Sequence, residues 1–398
     1  MRTWNSPEVP ALPPAQPSDV LLHDSSSKQL VAVGERGQGR LYVCGITPYD
    51  ATHLGHAATY LAFDILNRVW RDAGVTVTFV QNVTDIDDPL LERAAQTGAD
   101  WVALAERETD LFRTDMAALR VIPPSHYDSA VEAIPDAVNL IGRLPDEQKY
   151  TIANDLYFTS DRVGQMCGFR VEDMHALFAQ RGGNPHLPGK RTPLDSLLWQ
   201  AAVPHEPSWA SVLGAGRPGW HIECVAIAMR YFELPFDVQG GGSDLVFPHH
   251  DMCNALALAA TGRPLAKVFA HAGMIGYEGE KMSKSRGNLV LVSALREQGT
   301  DMSALRLALL SEHYRVDREW HDGLLSIAQE RLTRWRRARE CDGRGLLPEI
   351  RAALRQDLDT PGACALIDQA AQDVTPADTS ADAVPLWQIV DALLGIKI

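Results

Sequence analysis

Two histidines flank a glycine in HLGH, His53 to His56, a few residues after the apolar run LYVC, which ends in Cys44. At a helix start such a tetrapeptide can handle phosphate. Gly55 lets a flat ligand approach the backbone, the first turn offers unpaired N–H groups to an anion, and the imidazoles can donate to phosphate oxygens. The plainer reading is a helix cap and a solvated side chain. Far downstream, KMSKS puts Lys281 and Lys284 in the glycine-flanked segment YEGEKMSKSRGN, where two ammonium groups could meet charge developing on a pyrophosphate. A solvated basic loop is the alternative there. Thiols and imidazoles recur at Cys44, at Cys224 in WHIEC, and at His249 and Cys253 in FPHHDMC. These are the donor types a zinc site takes, and a catalytic zinc keeps one position open. His249 and Cys253, four apart, fall on one face of a predicted helix. Separate burial as small hydrophobes would also account for the cysteines.

The elements needed to position these residues can be read around them. LYVC is a strand; Leu54, Ala57, Ala58, Leu61, Ile65, Leu66 and Val69 recur at helical spacing until Gly74, and VTVTFV resumes a strand. This is a βαβ unit. Helical spacing continues over residues 90–97 and 101–119, and the Pro-rich IPPSHYD marks a change of character. The predicted organisation is an extended lead-in over 1–40, with a short strand at LVAV, and the first half of an α/β catalytic domain over 41–122. A loop-rich insertion follows over 123–217, then the second α/β half over 218–275, the KMSKS loop region over 276–300 and a helical bundle over 301–398.

The composition is that of an ordinary globular chain: 398 residues, 45% hydrophobic, 22% charged. A formal net charge of −14 lacks the basic footprint of a protein held mainly by phosphate contacts, and the basic run RLTRWRRARE reads as a solvated helix face. Nucleic acid is not the expected partner. No basic-then-apolar leader and no run of eighteen apolar residues stand in the sequence, so a cytoplasmic protein with no membrane partner is expected. The six cysteines show no disulfide framework.

HLGH followed by KMSKS on an α/β chain resembles the paired signatures of class I aminoacyl-tRNA synthetases. CGITPYDATHLGHAATYLAFD, QNVTDIDDP, GAGRPGWHIEC, GGSDLVFPHH, KMSKS and DLDTPGA are similar to cysteinyl-tRNA synthetases and their paralogues, the ligases of the mycothiol pathway that join cysteine to glucosaminyl-inositol. The similarity covers nearly the whole chain. The ligase branch is favoured by the short C-terminal bundle without an anticodon-binding module, the WNSPEVPALP lead-in, and AQRGGNP, which matches that branch's ERGGDP. Gln180 and Asn184 depart from the pattern and remove two charges; the Arg181 to Gly183 core stands.

The resemblance implies a class I Rossmann-like parallel-sheet fold with an insertion and a C-terminal helical bundle. It implies ATP, with Mg2+, as a substrate, and one zinc held by Cys44, Cys224 and His249. Cys253 is expected to be a bystander, because a closed four-ligand shell would crowd out a substrate thiolate. Zinc would select cysteine over serine in one step, since a hydroxyl is no soft ligand. The cysteinyl-adenylate contacts it implies are Cys44, Gly45, Ile46, Thr47, Thr59, Asn82, Val83, Thr84, Trp220, Gly242, Ser243, Asp244 and Ile275, with His53, His56, Lys281 and Lys284 catalytic. Cysteine, ATP and glucosaminyl-inositol would be the partners of a monomeric enzyme. The rival readings are a cysteinyl-tRNA synthetase with a reduced C-terminus and a non-catalytic nucleotide- or tRNA-binding paralogue.

Overall fold

The computed structural model describes residues 1–16, 19–34, 37–282, 288–372 and 382–398, the side chains of 280 and 281 excepted. A hairpin of β1 (Val20–His23) and β2 (Leu30–Val33) precedes β3 (Gln38–Val43), α1 (Leu54–Asp72) and β4 (Thr76–Val83). Then come α2 (Asp88–Thr97), α3 (Trp101–Ala118), β5 (His126–Ser129) and α4 (Ile134–Arg143). The next stretch holds β6 (Lys149–Ile152), β7 (Asp155–Phe158), α5 (Val171–Gln180), β8 (Ser196–Ala201) and β9 (Gly216–Pro218). It is followed by α6 (Trp220–Tyr231), β10 (Phe236–Gly242), α7 (Asp251–Thr261), β11 (Ala266–Ala272), β12 (Ile275–Tyr277) and β13 (Glu280–Lys281). The last part holds α8 (Val292–Glu297), α9 (Met302–Leu310), β14 (Arg318–Trp320), α10 (Asp322–Arg337), α11 (Leu347–Arg355), α12 (Thr360–Gln372) and α13 (Leu386–Leu394).

Five strands pair in the order β11-β10-β3-β4-β5, every pair parallel. From β3 the chain steps outward to β4 and β5, then returns to the other side of β3 with β10. The carboxyl ends of β3 and β10 therefore form a topological switch point, where open parallel sheets bind ligands. The two-residue period of β3 decides what reaches that point. Leu41 and Val43 pack with α1 in one core, while Tyr42 and Cys44 pack with α4, α6 and α7 in the other. Cys44 is thus carried toward α6, the helix bearing Cys224.

Helix α1 starts at His53, whose Nδ1 accepts from the Gly55 N–H at 3.0 Å, and is followed at Gly74 by a residue with φ of +79°. Phe63 brings α1 so close to β10 that a Cβ on Gly240 would meet its ring at 2.6 Å. A buried charge network fixes the same helix from behind. Asp64 pairs with Arg68 at 2.7 Å and with Arg306 of α9, and accepts from the Ile122 N–H at 2.7 Å. Arg68 donates to the Asp391 carbonyl of α13 at 2.9 Å, and Arg306 to Leu394 at 2.6 Å. Burial alone would raise the Asp64 carboxyl, but Arg68 and Arg306 outweigh it and hold it below the ordinary range.

Three expectations from sequence are revised. The lead-in holds more than one strand: Trp4 packs edge-on against Phe112 at 5.8 Å and donates to the Val121 carbonyl at 2.8 Å, and β1 and β2 bring Val20, Leu22 and Val33 into the main core. IPPSHYD does not open the insertion but leads into β5, the edge of the parallel sheet, which residue 122 as a boundary would cut away. HYDS has no apolar run, and its pairing to β4 supplies what side-chain pattern does not. The insertion, read as loop-rich, contains a four-stranded antiparallel sheet in the order β6-β7-β8-β9, together with α5. Among the described residues no helix is long and apolar enough to cross a membrane.

Candidate active site at the sheet switch point

The loop leaving β3 is stitched to both neighbours: the Cys44 N–H donates to Gly240 at 3.0 Å, and the Thr84 N–H donates to Ile46 at 2.9 Å. Asn82 completes the stitch by accepting from the Gly45 N–H at 2.9 Å and from the Tyr42 hydroxyl at 3.1 Å, while its amide donates to Thr84 at 3.1 Å. Asn82, Val83 and Thr84, expected to touch ligand, are buried, and Asn82 and Thr84 hold this loop in place. Gly45 has no room for a side chain, since a Cβ would lie 1.6 Å from the Asn82 carbonyl oxygen. Gly45→Ala is therefore expected to pry β3 from β4, costing about 3 kcal/mol or more as overpacking of a tight site does. Denaturant unfolding checks this; stability within about 0.5 kcal/mol of wild type, the range of a neutral surface change, would refute it.

Cys44, Cys224 and His249 converge with one ligand atom each, all within 4.8 Å of one another and all buried. A second group, His221, His249 and Cys253, meets the same criterion and shares His249. His249 lies in the wide helical turn Val246–His250, which runs directly into α7, and Cys253 lies on α7, so the two share a face as expected and their side chains meet at 3.8 Å. A hydrogen bond from Cys44 and the nearby His249 hold the Cys224 thiol well below its usual range, whereas burial pushes Cys44 up. Two thiols that favour one thiolate between them, with an imidazole, fit a soft divalent metal by donor chemistry.

Several residues around these donors were not anticipated. His221 approaches His249 at 3.1 Å, ring nitrogen to ring nitrogen. Gln239 donates to Cys44 Sγ at 3.3 Å, and His250 lies 3.2 Å from the same sulfur. His250 continues to His271 at 2.7 Å and from there to the Ser25 hydroxyl at 2.8 Å. Burial holds His221 and His250 well below the ordinary histidine range and takes His271 to about 3, so all three imidazoles are neutral. WHIEC and FPHHD displayed two of these histidines. His271 stands in an apolar strand and meets the others only through the β10–β11 register, Gly241 opposite His271.

Trp220, half-buried, stacks on His249 at 4.2 Å and closes one side. Across the switch point the His53 and His56 rings stack at 3.8 Å over the first turn of α1. Thr59 donates to the Gly55 carbonyl at 3.1 Å and lies beside Gly242, whose Cβ would be 3.9 Å from the Thr59 hydroxyl. Gly242, Ser243 and Asp244 leave β10 at the same end. The Asp244 carbonyl accepts from Arg181, which also holds the Phe247 carbonyl and so fastens the RGGNP loop to the site. Asn184 accepts from the His186 N–H at 3.2 Å, which a carboxylate would do equally well; the loss of charge there leaves the turn intact. Ile275 opens β12 in the main core, paired with Arg318, and is not a lining residue of the cleft below. Lys281 ends β13, its side chain outside the described residues, and Lys284 lies wholly outside them. The backbone beyond that loop is tied to HLGH: Leu54 N–H donates to Val290 and Val292 N–H to Thr52, each at 3.0 Å.

A cleft of about 720 Å3 opens from Thr47, Trp220, His221 and Asp244 toward α2 and the insertion. Asp87 caps α2 on its wall, and burial raises that carboxyl to about 6.

Residues 30–330 match the family model described as the tRNA synthetases class I (C) catalytic domain. The L-cysteine:1D-myo-inositol 2-amino-2-deoxy-alpha-D-glucopyranoside ligase of Streptomyces griseus is 53% identical over 410 residues, covering all of both chains. The protein of the same name from Acidothermus cellulolyticus is 52% identical over 409 residues, again over both full lengths. Among solved structures, Mycobacterium tuberculosis methionyl-tRNA synthetase in complex with methionyl-adenylate superposes with a TM-score of 0.58 at 16% identity, covering 89% of each chain, a likeness of fold. A Rossmann-like sheet with its site at the switch point, a family match over most of the chain and full-length identity above one half place the chain in the class I tRNA synthetase family, within its L-cysteine:1D-myo-inositol 2-amino-2-deoxy-alpha-D-glucopyranoside ligases.

Proposed function

We propose that this chain joins L-cysteine to the amine of glucosaminyl-inositol through cysteinyl-AMP, consuming ATP and releasing AMP and pyrophosphate. The observation that carries the reading is the convergence of Cys44, Cys224 and His249 within 4.8 Å at the switch point that also presents the His53 and His56 helix terminus. A zinc bound by those three residues would supply a soft partner for the substrate thiolate, so that cysteine is told from serine without editing. Trp220 walls the side chain off from water, and Thr47 and Asp244 orient the carboxylate and ammonium.

In the first half-reaction a carboxylate oxygen of cysteine attacks the α-phosphorus of Mg-ATP and the bond to pyrophosphate breaks. His53 and His56 at the α1 terminus, with Lys281 and Lys284, stabilise the charge on the triphosphate; the work is positioning and electrostatics. In the second the acceptor amine attacks the carbonyl carbon of the mixed anhydride. The bond to AMP breaks, the amine gives up its proton, and an amide remains.

The test supplies purified, zinc-replete protein with ATP and cysteine, and adds glucosaminyl-inositol to one sample and cysteine-accepting tRNA to another. Mass spectrometry should find amide product and AMP in the first alone. Charged tRNA without amide would make the chain a shortened synthetase, and no cysteine-dependent pyrophosphate exchange in folded, metal-loaded protein would make it a binding paralogue.

A further inference from the structure

Strand β10 turns a glutamine toward the metal donors. Gln239 lies opposite Tyr42 in the β3 register and opposite Phe269 in the β11 register, so it shares the face that carries Cys44. It is 2% exposed, and a buried amide is costly unless its N–H groups are engaged. Its nitrogen meets Cys44 Sγ at 3.3 Å and His250 Nε2 at 3.1 Å. The first contact does little for the fold, because a thiol sulfur is a weak acceptor. A thiolate is a strong one. Cys44 is already placed by its backbone: its N–H donates to Gly240 at 3.0 Å, and its carbonyl accepts from the Tyr60 hydroxyl at 3.3 Å. The strand does not need Gln239 to seat the residue; a charged sulfur does. The same charge fixes which way the amide faces, since its oxygen turned to a thiolate would set lone pair against lone pair.

A divalent ion on Cys44, Cys224 and His249 is neutralised by the two protein thiolates, and a substrate thiolate then leaves one net negative charge in a buried place. An N–H dipole aimed at one of the sulfurs offsets part of that charge and keeps the ion electron-poor. We propose that Gln239 is a positioning residue of this centre: its amide donates to the Cys44 thiolate, aims that sulfur at the ion and holds back its electron donation, so that the ion keeps its affinity for a further thiolate. The proposal rests on the metal reading above and gives the part of an outer donor to a residue one contact removed from the ion.

Cobalt(II) in place of zinc tests this on the full chain without turnover, because its sulfur-to-metal charge-transfer band reports on the thiolates directly. Gln239→Leu brings neither a donor nor a ligand atom, and Gln239→Val, at home in a strand, is the second variant. Gln81→Leu is the control: it removes an amide of the same sheet that is 1% exposed and whose Nε2 has no hydrogen-bond partner among the described residues. Loss of the Gln239 N–H should move the band to longer wavelength, since a sulfur stripped of its donor gives up an electron more readily. It should also weaken cobalt by about 10-fold or more and cysteine binding to the loaded protein by about 3-fold or more, with ATP shifting less than about 2-fold. The control should leave band and cobalt affinity unchanged. An unmoved band in both Gln239 variants, or equal losses in the control, overturns the assignment and leaves the metal centre standing. Wild-type protein with no thiolate band at all would overturn the metal reading and this role with it.

Discussion

Replacing Cys224 by serine is expected to strip the protein of bound zinc and to lower cysteine-dependent pyrophosphate exchange by more than about 100-fold, the upper range for losing even an outer-shell partner of a metal. The substitution is nearly isosteric in a buried site, so packing hardly changes. What changes is the donor: Cys224 is the thiol held down by its hydrogen bond from Cys44, whereas a hydroxyl stays protonated and hard. Cys253→Ser is the matched comparison. Cys253 belongs to the alternative group with His221 and His249, and its Sγ lies 3.4 Å from the His221 carbonyl. Metal content by mass spectrometry and exchange rates on both variants decide between the groups. Zinc retained by the serine variant at 224 and lost by the one at 253 would move the centre to the second group.

Asp64→Ala is expected to cost about 3–5 kcal/mol, the range for breaking a buried ion pair, because Arg68 and Arg306, each 1% exposed, keep their charge and lose its counter-charge. Denaturant unfolding measures it, and a loss under about 1 kcal/mol, as for an exposed pair, would show that the guanidinium bonds to the α13 carbonyls suffice alone. The network also has a pH signature. The folded Asp64 carboxyl lies below its unfolded value, so its contribution is complete above about pH 4 and fades as pH falls through the lower folded value. Asp64→Asn should lose that part of the acid limb. Burial lowers Arg306 to about 10, which keeps it charged throughout this window.

HLGH and the Cys, His and Trp of the central motifs were readable because each carries its chemistry within a few residues, and the first βαβ unit was readable because its periodicity is uninterrupted. What could not be read depends on distant pairing. Gln239 meets Cys44 because β10 lies against β3, and His271 meets His250 because β11 lies against β10. Neither residue stands out in its own strand. Asp64 and Arg68 form an (i, i+4) pair that sequence alone presents as a solvated couple; Arg306, far along the chain, makes it a buried triad. Asn82 to Thr84 were read as ligand contacts from a motif that also folds the Cys44 loop. A segment that shapes a site and one that touches its ligand look alike in sequence.

Leu54 to Val290 and Val292 to Thr52, the two backbone hydrogen bonds joining the start of α1 to the chain beyond KMSKS, involve no side chain. The joint therefore asks nothing of hydrogen-bonding side chains; proline at 54 or 292 would remove a donor, and Leu54 and Val292 are constrained only by their place in the main core. The spacing of the two motif-bearing segments is thus set by the topology of the chain, and the polar side chains of the motifs are left to chemistry.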